Sequence, residues 1–245
     1  MRSSAHLYLS SMAVSDLLIL LLLALGLLQF WKGWNLGDFG FKLTVFLSEC
    51  CTFCTILHIT FLSLERYLVV CWPITSKTLV TRCRTRALIG CLWLGAAVSA
   101  APFLAIFMMN SFSSGLWLAT IILTSLYVLV PLCILGLVYI LIGRTLRLRP
   151  QSSRKDKSHR HAVKMLGVIF LAFVLCWLPY IVGRIMNYVS QGSGPNSSLF
   201  YFYLVTWILS RLSPVINPLV YNLMSARYRH AVRSLVHTHC LTPSH

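Results

Sequence analysis

Residues 41–70 read FKLTVFLSECCTFCTILHITFLSLERYLVV, a run apolar enough to cross a bilayer that nevertheless carries Glu49, Glu65 and Arg66. About 20 apolar residues in a helix span roughly 30 Å of hydrocarbon. An ionisable side chain inside that layer costs about 2.5–3.5 kcal/mol on insertion scales, so it faces the interior of a bundle and finds a partner there. At about 1.5 Å of rise per residue, Glu49 lies about 12 Å below the outer end of the run. Glu49, Thr52, Ile56, Ile59, Ser63 and Arg66 follow one another by steps of three and four, the spacing of a single helix face. The stretch therefore predicts an interior transmembrane helix whose polar stripe joins an outer cavity to the cytoplasmic mouth.

Comparable runs occur at about 7–30, 87–109, 117–142, 163–187 and 199–224, so the expected fold is all-α: a single bundle over residues 1–245 with six spans. A composition of 58% hydrophobic and 11% charged residues fits a membrane protein and not a soluble domain. The first run continues to Phe30 without a small-residue cleavage site, which makes it a span and not a signal peptide. Most of the net charge of +16 lies on one side, the opposite loops holding only Lys32, Asp38 and Lys42. Lys77, Arg82, Arg84 and Arg86 precede the third span, Arg144 to Arg160 separate the fourth and fifth, and Arg227, Arg229 and Arg233 follow the sixth. Lysine and arginine collect in short cytoplasmic loops, so both termini are expected in the cytoplasm, and the cations serve anionic lipid and not nucleic acid. None of the nine cysteines falls in an outer loop, and no zinc spacing, phosphate loop or nucleophile elbow is present. The expectation is a plasma-membrane protein that is not an enzyme and needs no cofactor.

The remaining intramembrane polar residues are few. Asp16 and Asn217 lie at similar depth and could share a cluster with Thr55 and Ser213. That cluster is either a structural polar contact or a monovalent-cation (sodium) site in which a bound ion stabilises a buried carboxylate. Arg184, near the outer end of the fifth span, either pairs with Glu49 or snorkels to the interface. Arg211 is about 18 Å deep and requires an anion or water beside it. Pro179 in CWLPY removes a backbone donor, so the helix can bend one half-turn above Trp177, which serves either as a moving plug or as packing. Pro214 and Pro218 interrupt the last span in SPVINPLVYN.

ERY at 65–67, Asp16 in SMAVSDLL, Trp93, Pro131, Tyr139, CWLP and NPLVY at 217–221 match, in order and spacing, a rhodopsin-like G-protein-coupled receptor. Within that family LYLSSMAVSDLLI, LVTRCRTRALIGCLW, LIGRTL, AVKML, CWLPYIVGRI and YNLMSARYRHAV resemble the ghrelin and motilin receptor group, with RTRALIG and VGRI leaning toward the motilin side. The resemblance implies a peptide-hormone pocket containing Glu49, Arg184, Arg211, Tyr180 and Trp177, in which Glu49 and Arg184 face each other. It also implies a coupling region of Glu65, Arg66, Tyr67, Tyr139, Asn217, Pro218 and Tyr221 that meets a heterotrimeric G protein. There Glu65 would hold Arg66 at rest, and Tyr139 and Tyr221 would hold it after activation. A short amphipathic helix at about 225–236 would lie on the membrane, with Cys240 beyond it a candidate for acylation.

Departures from the family are equally specific. The span before Asp16 has no counterpart, Phe41 stands where a disulfide cysteine is usual, Gly26 replaces an acid and Arg211 a tyrosine. These leave two alternatives beside a signalling receptor. One is a truncated, non-signalling fragment that associates with other receptors. The other is a six-span transporter with a polar pathway through Asp16, Glu49 and Arg211, although the chain lacks the related halves that many transporters show.

Overall fold

A computed structural model describes residues 2–32, 37–108, 114–147, 154–190 and 197–224. The side chains of Asn217, Pro218 and Tyr221, the amphipathic segment 225–236 and Cys240 lie outside the described residues. The described chain is helical: α1 Arg2–Lys32, α2 Gly37–Cys71, α3 Pro73–Leu79, α4 Arg82–Met108, α5 Ser114–Arg147, α6 Arg154–Val189 and α7 Ser197–Met224. Each of the six expected spans lies in one of the long helices. Parts of α1, α2, α4, α5 and α6 are apolar and long enough to cross a membrane.

The helices outrun the apolar segments because hydropathy marks the membrane and not the helix end. α5 continues to Arg147 and α6 begins at Arg154, so both carry their basic residues as helix beyond the hydrocarbon. The short α3 was not anticipated from the apolar pattern. Pro73 starts it, its ring fixing the helical φ where no N–H is needed. Ser76 N–H bonds Trp72 O and Val80 N–H bonds Ser76 O, each at 2.9 Å, closing both ends.

α2 is the axis. Its membrane segment is 67% buried against 28% for those of α1 and α4, and it touches α1, α3, α4 and α5, while α6 lies between α5 and α7. Ala96 and Ala100 of α4 are fully buried against Phe53 and Cys54 of α2. In lipid the tails are as apolar as the side chains, so helices associate through close van der Waals contact, which small residues permit. A second close approach occurs at Gly183, where a Cβ would lie 2.9 Å from Thr206 Oγ1 and 3.4 Å from the Phe202 ring of α7. Large apolar side chains point outward: Leu17 and Leu94 are each 68% exposed and Leu175 67%. A lipid-facing belt explains this, since water-soluble surfaces avoid large apolar patches.

Candidate functional site

The stripe expected on α2 is internal. Glu49, Thr52, Ile56, Ile59 and Ser63 are buried, with Arg66 half-buried at the end. Around it the polar residues form three levels.

At the outer level Glu49 takes Arg211 of α7, and not Arg184, as its ion-pair partner. Arg211 Nη1 also donates to Ser48 O at 3.0 Å and to Thr52 Oγ1. Its guanidinium carbon lies 5.8 Å from the Trp207 ring centroid. The pair excludes solvent almost completely; Ser48 O and Thr52 Oγ1 take up Nη1 of Arg211, while its Nε has no partner among the described residues. Arg184 does not snorkel, being only 5% exposed. It donates to Thr124 Oγ1 at 2.8 Å and Thr120 Oγ1 at 3.2 Å on α5, and to its own helix neighbour Tyr180 at 3.4 Å. The rings of Phe103, Trp117 and Tyr180 lie 5.5, 5.5 and 5.9 Å from it, within cation–π range. The cause of the revised pairing is reach: Arg211 extends from α7 to α2, while the α5 hydroxyls and aromatic rings draw Arg184 aside.

The middle level is built on Trp177. Its ring stacks on Phe173 at 5.8 Å and meets Tyr180 edge-on at 6.0 Å, and its indole N–H donates to Ser213 Oγ at 3.2 Å. Beneath lies a cavity of about 10 Å³ bounded by Thr52, Thr55, Trp177, Ser210 and Ser213 among others, room for about one water-sized particle. Thr55 donates to Asp16 Oδ1 at 2.9 Å and lies 2.8 Å from Ser15 Oγ. Asp16 and Thr55 thus meet as expected, while Ser213 is tied to Trp177 and shares the cavity with Thr55. Carboxylate and hydroxyl oxygens suit a hard alkali cation, and no group of three or more His, Cys, Asp or Glu suggests a transition metal among the described residues.

At the cytoplasmic level Glu65 is buried, and Arg66 and Tyr67 are half-buried. Glu65 and Arg66 form no ion pair with each other among the described residues, since successive side chains on a helix point in different directions. Tyr139 of α5 is 40% exposed and packs against α6, its ring 3.0 Å from where a Cβ on Gly167 would stand. It is therefore held at the α5–α6 seam and not over Arg66.

A further polar knot was not anticipated. His58 of α2 is fully buried, with Nδ1 2.7 Å from Cys54 O and Nε2 3.0 Å from Ser11 Oγ of α1, which also accepts from Trp93 Nε1 of α4 at 2.9 Å. It ties three helices together. The signal available was a histidine with a Ser and a Trp at matching depths on neighbouring spans.

The sequence profile of the 7 transmembrane receptor (rhodopsin family) matches residues 1–221. The chain belongs to that family. It is 39% identical to rabbit (Oryctolagus cuniculus) growth hormone secretagogue receptor type 1, over 96% of this chain and 72% of that protein. It is 38% identical to the human protein of the same name, with the same coverage. It is 35% identical to the human motilin receptor, over 96% of the chain and 73% of that protein. The rhodopsin-family receptor is thus of the ghrelin and motilin group, a multi-pass membrane protein of a receptor and not an enzyme family. These identities run opposite to the leaning toward the motilin side taken from RTRALIG and VGRI.

Proposed function

We propose that this rhodopsin-family receptor binds a peptide hormone of the ghrelin or motilin type in the pocket of Glu49, Arg184, Arg211, Tyr180 and Trp177, and passes the event to a heterotrimeric G protein at its cytoplasmic end. The observation that carries this reading is one internal file of buried and half-buried residues. It runs from the Glu49–Arg211 pair through Thr52, Trp177 and Ser213 to Asp16 and Thr55, and along α2 to Ser63, Glu65 and Arg66. A ligand that displaces Trp177 alters the small cavity below it, and α6, whose Pro179 has no N–H to give the preceding turn, can move without breaking a hydrogen bond there. Outward movement of α6 releases Tyr139 from Gly167 and frees it toward Arg66. The cluster of Asp16, Thr55 and Ser213 holds a sodium ion in the resting state, Asn217, the fourth residue expected there, having its side chain outside the described residues, and both termini face the cytoplasm.

The test is nucleotide exchange on purified G proteins by membranes containing the chain, with ghrelin-type and motilin-type peptides applied over a concentration series. Peptide-driven exchange that is lost in Trp177→Ala and Arg66→Ala, with surface level unchanged, is the expected result. Exchange that ignores both substitutions, or none with any peptide at normal surface level, overturns the reading.

A further inference from the structure

The outer level of the bundle holds two buried guanidiniums and one buried carboxylate, Arg184, Arg211 and Glu49. The chain has five acidic residues: Asp16, Asp38, Glu49, Glu65 and Asp156. Glu49 is engaged by Arg211, and Asp38, at the outer end of α2, forms its ion pair with Lys42. Asp16 belongs to the middle level and Glu65 to the cytoplasmic one. Asp156 lies 28 residues before Arg184 on the same helix, about 42 Å away along its axis. Arg184 is therefore a cation, 5% exposed, with no carboxylate in contact. It sits in the field of Glu49 without touching it. Hydroxyls and aromatic faces hold two of its nitrogens, and its Nε has no acceptor among the described residues.

A buried charge left without a counter-ion is costly. Cation–π contacts and neutral hydroxyls offset part of that cost, and an arriving anion would offset more, because a carboxylate accepts two parallel hydrogen bonds from a guanidinium. Arg184 lies five residues before the end of α6 at Val189, so about 7–8 Å separates it from that outer end. The residues around it (Phe103, Trp117 and Tyr180) are aromatic. They favour a carboxylate attached to an apolar or aromatic group over a free inorganic anion.

We propose that this receptor recognises its ligand through a carboxylate placed on Arg184, because Arg211 has occupied Glu49 and removed the acid that would otherwise receive a ligand amine. The proposal rests on the receptor reading and specifies the ligand chemistry of the same pocket. The carboxylate is that of a peptide C-terminus or of an acidic side chain beside an apolar residue.

The experiment measures thermal stabilisation of the purified full chain in lipid nanodiscs by four small probes. These are N-acetyl-leucyl-phenylalanine with its free carboxylate, the same dipeptide as C-terminal amide, N-acetyl-aspartyl-phenylalanine amide, and phenylalanyl-leucine amide with a free amine. At least one carboxylate probe is expected to bind about tenfold or more tightly than the neutral amide, the scale of a hydrogen bond to a charged group. The first and third probes distinguish a terminal from a side-chain carboxylate. Arg184→Gln is expected to abolish the difference. Arg211→Tyr, which leaves Arg184 in place but releases Glu49 to it, is expected to shrink the difference and keeps the test open should Arg184→Gln fail to fold. Equal binding of carboxylate and amide, no binding by any probe, or preference for the amine probe overturns the proposal. An amine preference lost in Glu49→Gln, together with peptide-driven nucleotide exchange, would remove this inference while keeping the receptor reading. Carboxylate binding without nucleotide exchange would do the reverse.

Discussion

Glu49 is the one acid buried at the outer level, paired with Arg211 and not with Arg184, so substitutions there are unequal. Glu49→Gln strands Arg211 and removes the negative field around Arg184. Removing one partner of a buried pair costs about 3–5 kcal/mol, which for a chain of this size lowers the melting temperature by roughly 6 °C or more. Arg211→Met strands only Glu49, and Arg184, already in its field, can turn to it. The expected loss is less than half as large, and melting of the two variants in detergent decides it. Equal losses would mean that Arg184 is locked to Thr120 and Thr124 and cannot exchange partners. The face of α2 that carries Glu49 was legible, because steps of three and four follow from helix geometry alone. Its partner was not legible: periodicity says which residues share a face but not how far one helix is rotated against another. For the same reason Arg184 was paired with Glu49 when α5 hydroxyls and three rings in fact hold it. His58 escaped notice because a lone histidine in an apolar run carries no pattern, and only the approach of Ser11 from α1 gives its Nε2 a partner.

At the scale of helices, the glycines separate contact from mere composition. Gly183 admits α7 so closely that an added methyl would meet Thr206 Oγ1 at 2.9 Å and the Phe202 ring at 3.4 Å. Gly95, on α4, has nothing within 4 Å of the same position. Gly183→Ala must therefore push α6 and α7 apart at their outer halves, at a cost of about 1–3 kcal/mol, the usual penalty for overpacking. Gly95→Ala has no such contact and gains helix propensity of up to about 1 kcal/mol. The melting temperature should fall in the first variant and stay level or rise in the second. A fall of the same size in both would show that backbone flexibility, and not the α6–α7 seam, sets the effect. All six long helices were foreseeable from apolar length, since the bilayer fixes the number of residues needed to cross it. The short α3 was not, because its residues face neither lipid nor core in a repeating pattern and its start depends on one proline.

Over the whole molecule, the cavity beneath Trp177 is where four helices meet: Ile19 from α1, Thr52 and Thr55 from α2, Phe173 and Trp177 from α6, and Ser210 and Ser213 from α7. A cation held there by Thr55 and Ser213, with the Asp16 carboxylate behind Thr55, would touch elements that otherwise meet mainly through side-chain packing, so its effect on stability would be global. A ligand that binds only the folded form adds RT ln(1 + [L]/Kd), about 2.7 kcal/mol at a hundredfold excess over Kd. Sodium chloride should therefore raise the melting temperature of the purified chain, and choline chloride at the same ionic strength should not, which separates binding from screening. Asp16→Asn removes the charge while keeping a side chain that can still accept from Thr55. Thr55→Val removes a hydroxyl while keeping the shape. Both are expected to abolish the sodium-specific shift, and Ser210→Ala, at the cavity edge with its hydroxyl already donated to Trp207 O at 2.7 Å, is expected to leave most of it. A sodium shift that survives Asp16→Asn would place the cation elsewhere and reduce the Asp16–Thr55 contact to a structural hydrogen bond.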